Sequence, residues 1–259
     1  MKLISTTFAD GVGTIALNNA AKRNCLSNAL LNEFDEAIEA FDARRARVVV
    51  VRAEKGAKVW SSGFDINELP DPGRDPLSYN DPLETVLRKI QKIPCPVIAM
   101  IEGSVWGGAC DLSFTCDIAV GSPTAAFAMT PAKVGVPYTT SGLLHFINVV
   151  GVRITREMFF TAQPIHAERA LQIGILNYLV PGDEIEAFTY ALAQGISGNS
   201  PMGIAVIKEQ LRILSNSHPI SPETFERIQG LRRKAYDSAD YREGKRAFLE
   251  KRHPVFTGE

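Results

Sequence analysis

Apolar positions along this chain change period repeatedly, and the changes mark out its elements. Residues 14–17 form a short β-branched run that predicts a strand, followed by a polar loop over 18–25. Leu26, Leu30, Phe34, Ile38 and Phe41 then recur at the spacing of one helix face, and Ser27 stands where an N-cap belongs. Four valines at 48–51 read as a strand buried on both faces. Asp81 before Pro82 predicts a second helix, Asp as cap and Pro at the first position, with Leu83, Val86, Leu87, Ile90 and Ile93 as its stripe. Residues 96–101 predict the next strand, 103–108 a glycine-rich turn into a short helix, and 118–120 and 127–129 two further short strands.

Strand signals stop after about Val180, and helices are expected over 201–214, 222–236 and 240–252. The pattern therefore predicts an α/β body over residues 1–195, with a helical region at 196–259. Neither an internal repeat nor a low-complexity linker interrupts it.

Composition narrows the class. A chain of 259 residues, 45% of them hydrophobic, can bury a large core. Its 28 basic and 29 acidic side chains leave a net charge of −1, so neither nucleic acid nor a membrane surface is an expected partner. The late pairs Lys245-Arg246 and Lys251-Arg252 read as a solvated helix face. Cys25, Cys95, Cys110 and Cys116 make no CxxC pair and have no His cluster beside them, so no metal is expected. The first residues, Met1 to Thr7, show no secretory signal pattern, and no stretch of ~18 predominantly apolar residues suggests a membrane span. A cytoplasmic location is the expectation.

Two glycine-containing turns carry the candidate chemistry. One is Trp60-Ser61-Ser62-Gly63-Phe64-Asp65-Ile66, after the valine strand; the other runs from Gly103 through Gly107-Gly108 to Asp111. Glycine lets a backbone approach a ligand closely and turn its N–H groups outward. A pair of such donors, one near a helix N-terminus, is what a developing oxyanion needs.

The segment Ser61 to Leu69 and the segment Glu102 to Asp111 resemble the two oxyanion segments of the crotonase (enoyl-CoA hydratase/isomerase) superfamily. The likeness extends to Ala21-Lys22-Arg23-Asn24-Cys25-Leu26, to Phe160-Thr161-Ala162 with residues 170–180, and to the tail from Asp240 to Pro254. Within that family, residues 73–79, 102–109, 129–131, 135–138 and 225–230 are similar to a decarboxylating branch rather than to hydratases. The resemblance implies a spiral of ββα turns, a C-terminal helical oligomerisation region, and homotrimers or pairs of trimers. It implies acyl-CoA substrates, CoA being part of the substrate and no separate cofactor being needed. Carried over by position, it implies backbone donors at Phe64 and Gly108, with Thr130 and Tyr138 near a departing carboxylate. Ser62, Gly63, Asp65, Ile66 and Cys25 would contact substrate, and Lys251 the CoA phosphates, often across a subunit boundary.

Hydration of an enoyl thioester asks for two carboxyl groups. Asp111 stands at the first of the family's acidic positions, a shorter acid than the usual Glu, and Pro131 falls at the second; residues 118–156 contain no acid at all. Decarboxylation has no such need, because the electrons left by CO2 become the enolate. Together with the likeness to the decarboxylating branch, the resemblance implies decarboxylation of methylmalonyl-CoA, or a related malonyl-type thioester, to propionyl-CoA. An enoyl-CoA hydratase or isomerase and a non-catalytic acyl-CoA-binding scaffold are the alternatives. Phe64 stands where the decarboxylating branch carries His, and Asp111 is expected to retract into a structural hydrogen bond. Cys110 and Trp106 read as packing residues, and His145, His166, His218 and His253 as isolated surface or capping residues.

Overall fold

A computed structural model describes residues 2–70 and 78–259, so most of the expected similarity at 73–79 lies outside the described residues. An antiparallel pair, β1 (Ile4–Ala9) and β2 (Val12–Leu17), turns at Asp10-Gly11, both at positive φ. After the helix α1 (Asn28–Ala43) the chain falls into a rhythm: β3 (Val48–Ala53), β4 (Val59–Ser61), α2 (Pro82–Lys92), then β5 (Val97–Ile101), β6 (Ser104–Trp106), α3 (Gly108–Thr115), then β7 (Ile118–Gly121) and β8 (Ala126–Ala128). The first strand of each round joins one sheet and the second joins another. Their orders are β1-β2-β3-β5-β7-β10 and β4-β6-β8-β9, with β9 (Ile165–His166) and β10 (Tyr178–Leu179) arriving later. Each round is one ββα turn of a spiral, and successive rounds stack their strands in parallel.

Local chemistry explains the elements. Ser27 caps α1 by accepting the Leu30 N–H, while Leu30, Phe34, Ile38 and Phe41 bury its inner face. The valines of β3 are buried on both faces, which is why that strand shows no alternation. Two expectations need correction. Asp81 does begin α2, but its side chain makes no cap bond and accepts the Ser78 N–H instead. Residues 103–108 are not one turn: the positive-φ glycines Gly103 and Gly107 sit at either end, leaving Ser104–Trp106 to pair with both β4 and β8. The segment α4 (Thr140–Thr161), broken at Gly151, had no clear periodic signature. α5 (Ala167–Gln172) and α6 (Ile185–Ser197) complete the body.

The helices α7 (Pro201–Ser215), α8 (Pro222–Tyr236) and α9 (Ala239–Leu249) match the expected tail, but the expected boundary at 195/196 cuts α6. The tail is tied to the body by side-chain bonds to main-chain oxygens: Tyr236 Oη to Pro137 at 2.8 Å, Tyr241 Oη to Pro70 at 2.9 Å and Lys245 Nζ to Leu69 at 2.7 Å. Its closest approach is made through glycine. A methyl on Gly244 would lie 2.4 Å from the Val134 carbonyl carbon, so α9 rests directly on the 3-10 turn Pro131–Val134.

Gly244→Ala is expected to lower unfolding free energy by about 1–3 kcal/mol, because backbone rather than a flexible side chain must give way. Urea denaturation at constant m-value checks this; an unchanged midpoint would show that α9 is not wedged against the turn.

Candidate active site

β4 ends at Ser61, whose hydroxyl donates to the Asn24 carbonyl at 2.6 Å and accepts the Gly63 N–H at 3.2 Å. Beyond it, Leu26 bonds to both neighbours of Phe64: its N–H reaches Gly63 O and its carbonyl accepts Asp65 N–H. In a parallel bridge of this kind the central residue's own N–H points away from the partner. The Phe64 N–H is thereby aimed outward. Across from it, Gly107 N–H is anchored to Ala128 O at 2.9 Å, and Gly107 takes φ 52°, ψ −125°. That turn starts α3 at Gly108, whose N–H is one of the unpaired donors of a helix N-terminus.

The two segments touch. A methyl on Gly63 would lie 2.4 Å from Trp106 O and 3.3 Å from Gly108 N; one on Gly108 would lie 3.6 Å from Phe64 N. Neither Phe64 N–H nor Gly108 N–H has an acceptor among the described residues. Two free, neighbouring donors face one space, which is the geometry of an oxyanion hole.

That space is a chamber of about 80 Å³ walled by Phe64, Gly108, Leu83, Thr130, Val136 and Tyr138 among others. Ser62, Phe64, Ile66, Thr130 and Val134 also line a larger cleft of about 610 Å³, so the two are continuous. The larger cleft holds Cys25, Asp65 and Trp106, with Arg23, Lys133 and Arg252 as its cations. Thr130 Oγ1 has no partner among the described residues and is free to meet a ligand. Cys25 faces Asp65 at 3.8 Å, and burial together with that carboxylate raises its thiol pKa, so it stays protonated. Burial likewise raises the thiol of Cys110, a packing residue as expected.

The structure brings most of the expected site residues together: Phe64, Gly108, Thr130 and Tyr138 wall the chamber, and Ser62, Asp65, Ile66 and Cys25 line the cleft with Gly63 at the crossing. Lys251 is not brought there. It is exposed just past α9, and it is Arg252 that lines the cleft, forked on Glu243. Arg23 and Lys133 were missed; their signal was only a basic residue beside each turn. Trp106, expected in the core, is half-buried on the cleft wall, its Nε1 donating to Ser104 Oγ at 2.8 Å.

The largest correction concerns His145. It is buried, with Nδ1 2.6 Å from Asp111 Oδ1 and Nε2 2.9 Å from the Gln91 amide. Asp111 is fully buried, as its expected retraction requires, and its other oxygen accepts the Tyr138 hydroxyl at 2.8 Å. A second carboxyl, Glu84 of α2, is buried nearby, held by Thr139 and Ser141 hydroxyls at 3.0 Å each. Burial first, then the Asp111 charge, raises the pKa of Glu84; the same two causes hold the Tyr138 phenol well above its usual range. Both carboxyls lie behind the chamber: no acidic residue is among its described walls. Among the described residues no three His, Cys, Asp or Glu side chains could hold a metal ion, and no helix is long and apolar enough to cross a membrane.

Comparison with known proteins agrees with this geometry. Residues 7–259 match the family model described as enoyl-CoA hydratase/isomerase. The chain is 47% identical to methylmalonyl-CoA decarboxylase of Escherichia coli (strain K12) over 98% of both chains. It is 34% identical to the human mitochondrial enoyl-CoA hydratase domain-containing protein 3, over 96% of this chain and 82% of that one. A solved structure of methylmalonyl-CoA decarboxylase in complex with 2-nitronate-propionyl-CoA superposes with a TM-score of 0.97 at 46% identity, covering 99% of each chain. The spiral expected from the two glycine segments is thus the fold of these relatives.

Gly108→Ala keeps both N–H groups but crowds the space they face with a methyl 3.6 Å from Phe64 N, its tightest contact being the far end of the Leu83 side chain at 3.0 Å. Folding is expected to change by less than about 1 kcal/mol while turnover falls roughly 100- to 1000-fold, the scale of losing one oxyanion donor. Steady-state kinetics beside a melting curve separate the two effects.

Proposed function

Because the chain belongs to the enoyl-CoA hydratase/isomerase family, we propose from its site and relatives that it decarboxylates methylmalonyl-CoA to propionyl-CoA. The enzyme is a carbon–carbon lyase acting on an acyl-CoA. One observation carries the choice of reaction: two unpaired amides face a chamber whose described walls hold no carboxyl group. The thioester oxygen sits between the N–H groups of Phe64 and Gly108. The substrate carboxylate lies in the apolar chamber toward Thr130, poorly solvated and so raised in free energy relative to the departing neutral CO2. When that C–C bond breaks, its electron pair flows to the thioester oxygen, where the two amides stabilise the enolate. No base removes a proton at this stage.

Hydration fits less well, since its two carboxyls would have to reach the substrate. Asp111 and Glu84 are instead buried behind the wall on tyrosine, histidine and hydroxyl partners. The CoA moiety occupies the larger cleft, with Arg23, Lys133 and Arg252 opposite its phosphates. Lys251, outside its own cleft, serves the CoA of a neighbouring subunit in a trimer or pair of trimers. Exposed apolar side chains on α7 and α8, among them Ile207, Leu211, Leu214, Phe225 and Leu231, support such an assembly. A cytoplasmic setting accords with four free cysteines.

Mass spectrometry of the protein incubated with methylmalonyl-CoA is expected to find propionyl-CoA and CO2 in equal amounts, with crotonyl-CoA left unhydrated. Rapid hydration with no CO2 release would reverse the assignment. Thr130→Val should cost about 1 kcal/mol, roughly fivefold in turnover, as the loss of one neutral hydrogen bond. A thousandfold loss would place that hydroxyl above the amide pair.

A further inference from the structure

Loss of CO2 leaves an enolate carbon that must gain one proton per turnover. Tyr138 brings a phenol to the chamber wall, and that phenol is the near end of a continuous hydrogen-bonded chain. Its hydroxyl donates to Asp111 Oδ2 at 2.8 Å, and Asp111 Oδ1 lies 2.6 Å from His145 Nδ1. His145 Nε2 meets the Gln91 amide at 2.9 Å. Gln91 and His145 line a separate cleft of about 220 Å³ that shares no lining residue with the chamber or the larger cleft. The chain thus links the reaction chamber to water by a route that the acyl-CoA does not occupy.

We propose that Tyr138, Asp111 and His145 are a proton relay from this second cleft to the enolate, with Tyr138 the acid that touches substrate and Asp111 and His145 positioning residues acting through it. The relay rests on the decarboxylase function proposed above. As the enolate collapses, its electron pair takes the Tyr138 hydroxyl proton to form the new C–H bond. The phenolate oxygen takes a proton through Asp111, whose carboxyl takes one from His145 Nδ1. Neutral His145, which keeps its Nε2–H, regains a proton at Nδ1 from the Thr115 hydroxyl, 3.4 Å away on the lining of the same cleft, and that hydroxyl takes one from cleft water. One proton enters and one C–H bond forms, the balance decarboxylation requires.

Physical chemistry explains why the far members are needed. A phenolate left beside the Asp111 carboxylate would be two buried like charges in contact. An imidazolium beyond the carboxylate removes that cost by passing its proton inward. The Nε2–H stays in place in both states of the ring and can donate to the Gln91 amide oxygen, so His145 keeps that partner throughout. Burial opposes charging of His145, but the charge and hydrogen bond of Asp111, with the charge of Glu84, outweigh it and raise the imidazole above its ordinary 6.5. Asp111 faces the ring from α3, Glu84 acts from α2 and Tyr138 lies beyond Asp111, while Asp117, Lys208 and Arg212 line the outer cleft. Because the loaded relay carries a protonated His145, turnover is constant below its pKa and falls as pH rises through it.

The test is decarboxylation of methylmalonyl-CoA in deuterium oxide, following rate against pH and the handedness of the singly deuterated propionyl-CoA. The wild-type chain is expected to give one enantiomer and a single alkaline decline above pH 6.5. His145→Gln and Asp111→Asn are expected to lower kcat roughly 10- to 100-fold with KM within about twofold, the lower range for a positioned acid. Both should flatten the alkaline decline and yield racemic label, since water then supplies the proton. Racemic label from the wild type, which needs no substitution to fold, overturns the relay; so do variants that keep its rate, profile and handedness. Deuterium exchange at C2 of propionyl-CoA gives a second readout. Stereospecific exchange without CO2 release refutes the substrate assignment and supports the relay; CO2 release with racemic label does the reverse, and neither signal refutes both.

Discussion

The site depends on one close contact, the passage of residues 61–64 across residues 106–108 at a distance that no side chain could share. Gly63 is at φ +86° with main-chain atoms of Trp106 where its Cβ would be, and Gly107 adopts a conformation that L residues rarely enter. Main-chain amides normally find partners when buried. Here the Leu26 bridge satisfies the neighbours of Phe64, and the start of α3 strands Gly108, so the two amides left over are neighbours. Preorganised in this way, they need little rearrangement as charge gathers on an acyl oxygen.

A second constraint is the placing of charge. The chamber is largely apolar, yet a phenol stands at its wall and two carboxyls and an imidazole lie just behind it, each hydrogen-bonded to a partner. Asp111 facing the chamber would repel a malonyl-type carboxylate; drawn back onto Tyr138 and His145, it contributes no bare charge there. The same bonds order the Tyr138 ring against α4, where Gly142 leaves room for it: a methyl at that position would lie 2.2 Å from the ring. Charge needed for proton supply is kept apart from charge that would disturb the substrate.

The third element is the tail, which completes the site rather than standing apart from it. Gly135 and Gly244 let α9 rest on the turn that carries Thr130 and Val134, while Phe248, Arg252 and Pro254 close one side of the larger cleft. Anchors from Tyr236, Tyr241 and Lys245 to main-chain carbonyls near the chamber couple the tail's position to the site. The larger cleft is therefore walled by segments nearly the whole chain apart.

Much of this was legible along the chain. Helical spacing from Leu26 to Phe41, the valine run of β3 and the Ser-Pro starts of α7 and α8 predict their elements, because each follows from local propensity and one buried face. The two glycine segments, read through their family resemblance, located Phe64 and Gly108 as well. What only the tertiary structure decided was which buried polar groups meet. Tyr138, His145 and Thr139 find their carboxylates 27, 34 and 55 residues away, across helices that the spiral brings together. Hydrophobic periodicity records which face of an element is covered, not what covers it, so an isolated histidine and a displaced acid gave no sign of forming a pair. Lys251 and Arg252 illustrate the same limit at the surface: adjacent in sequence and alike in charge, they are parted by the way the chain leaves α9, with Lys251 at φ +55° and only Arg252 on the cleft.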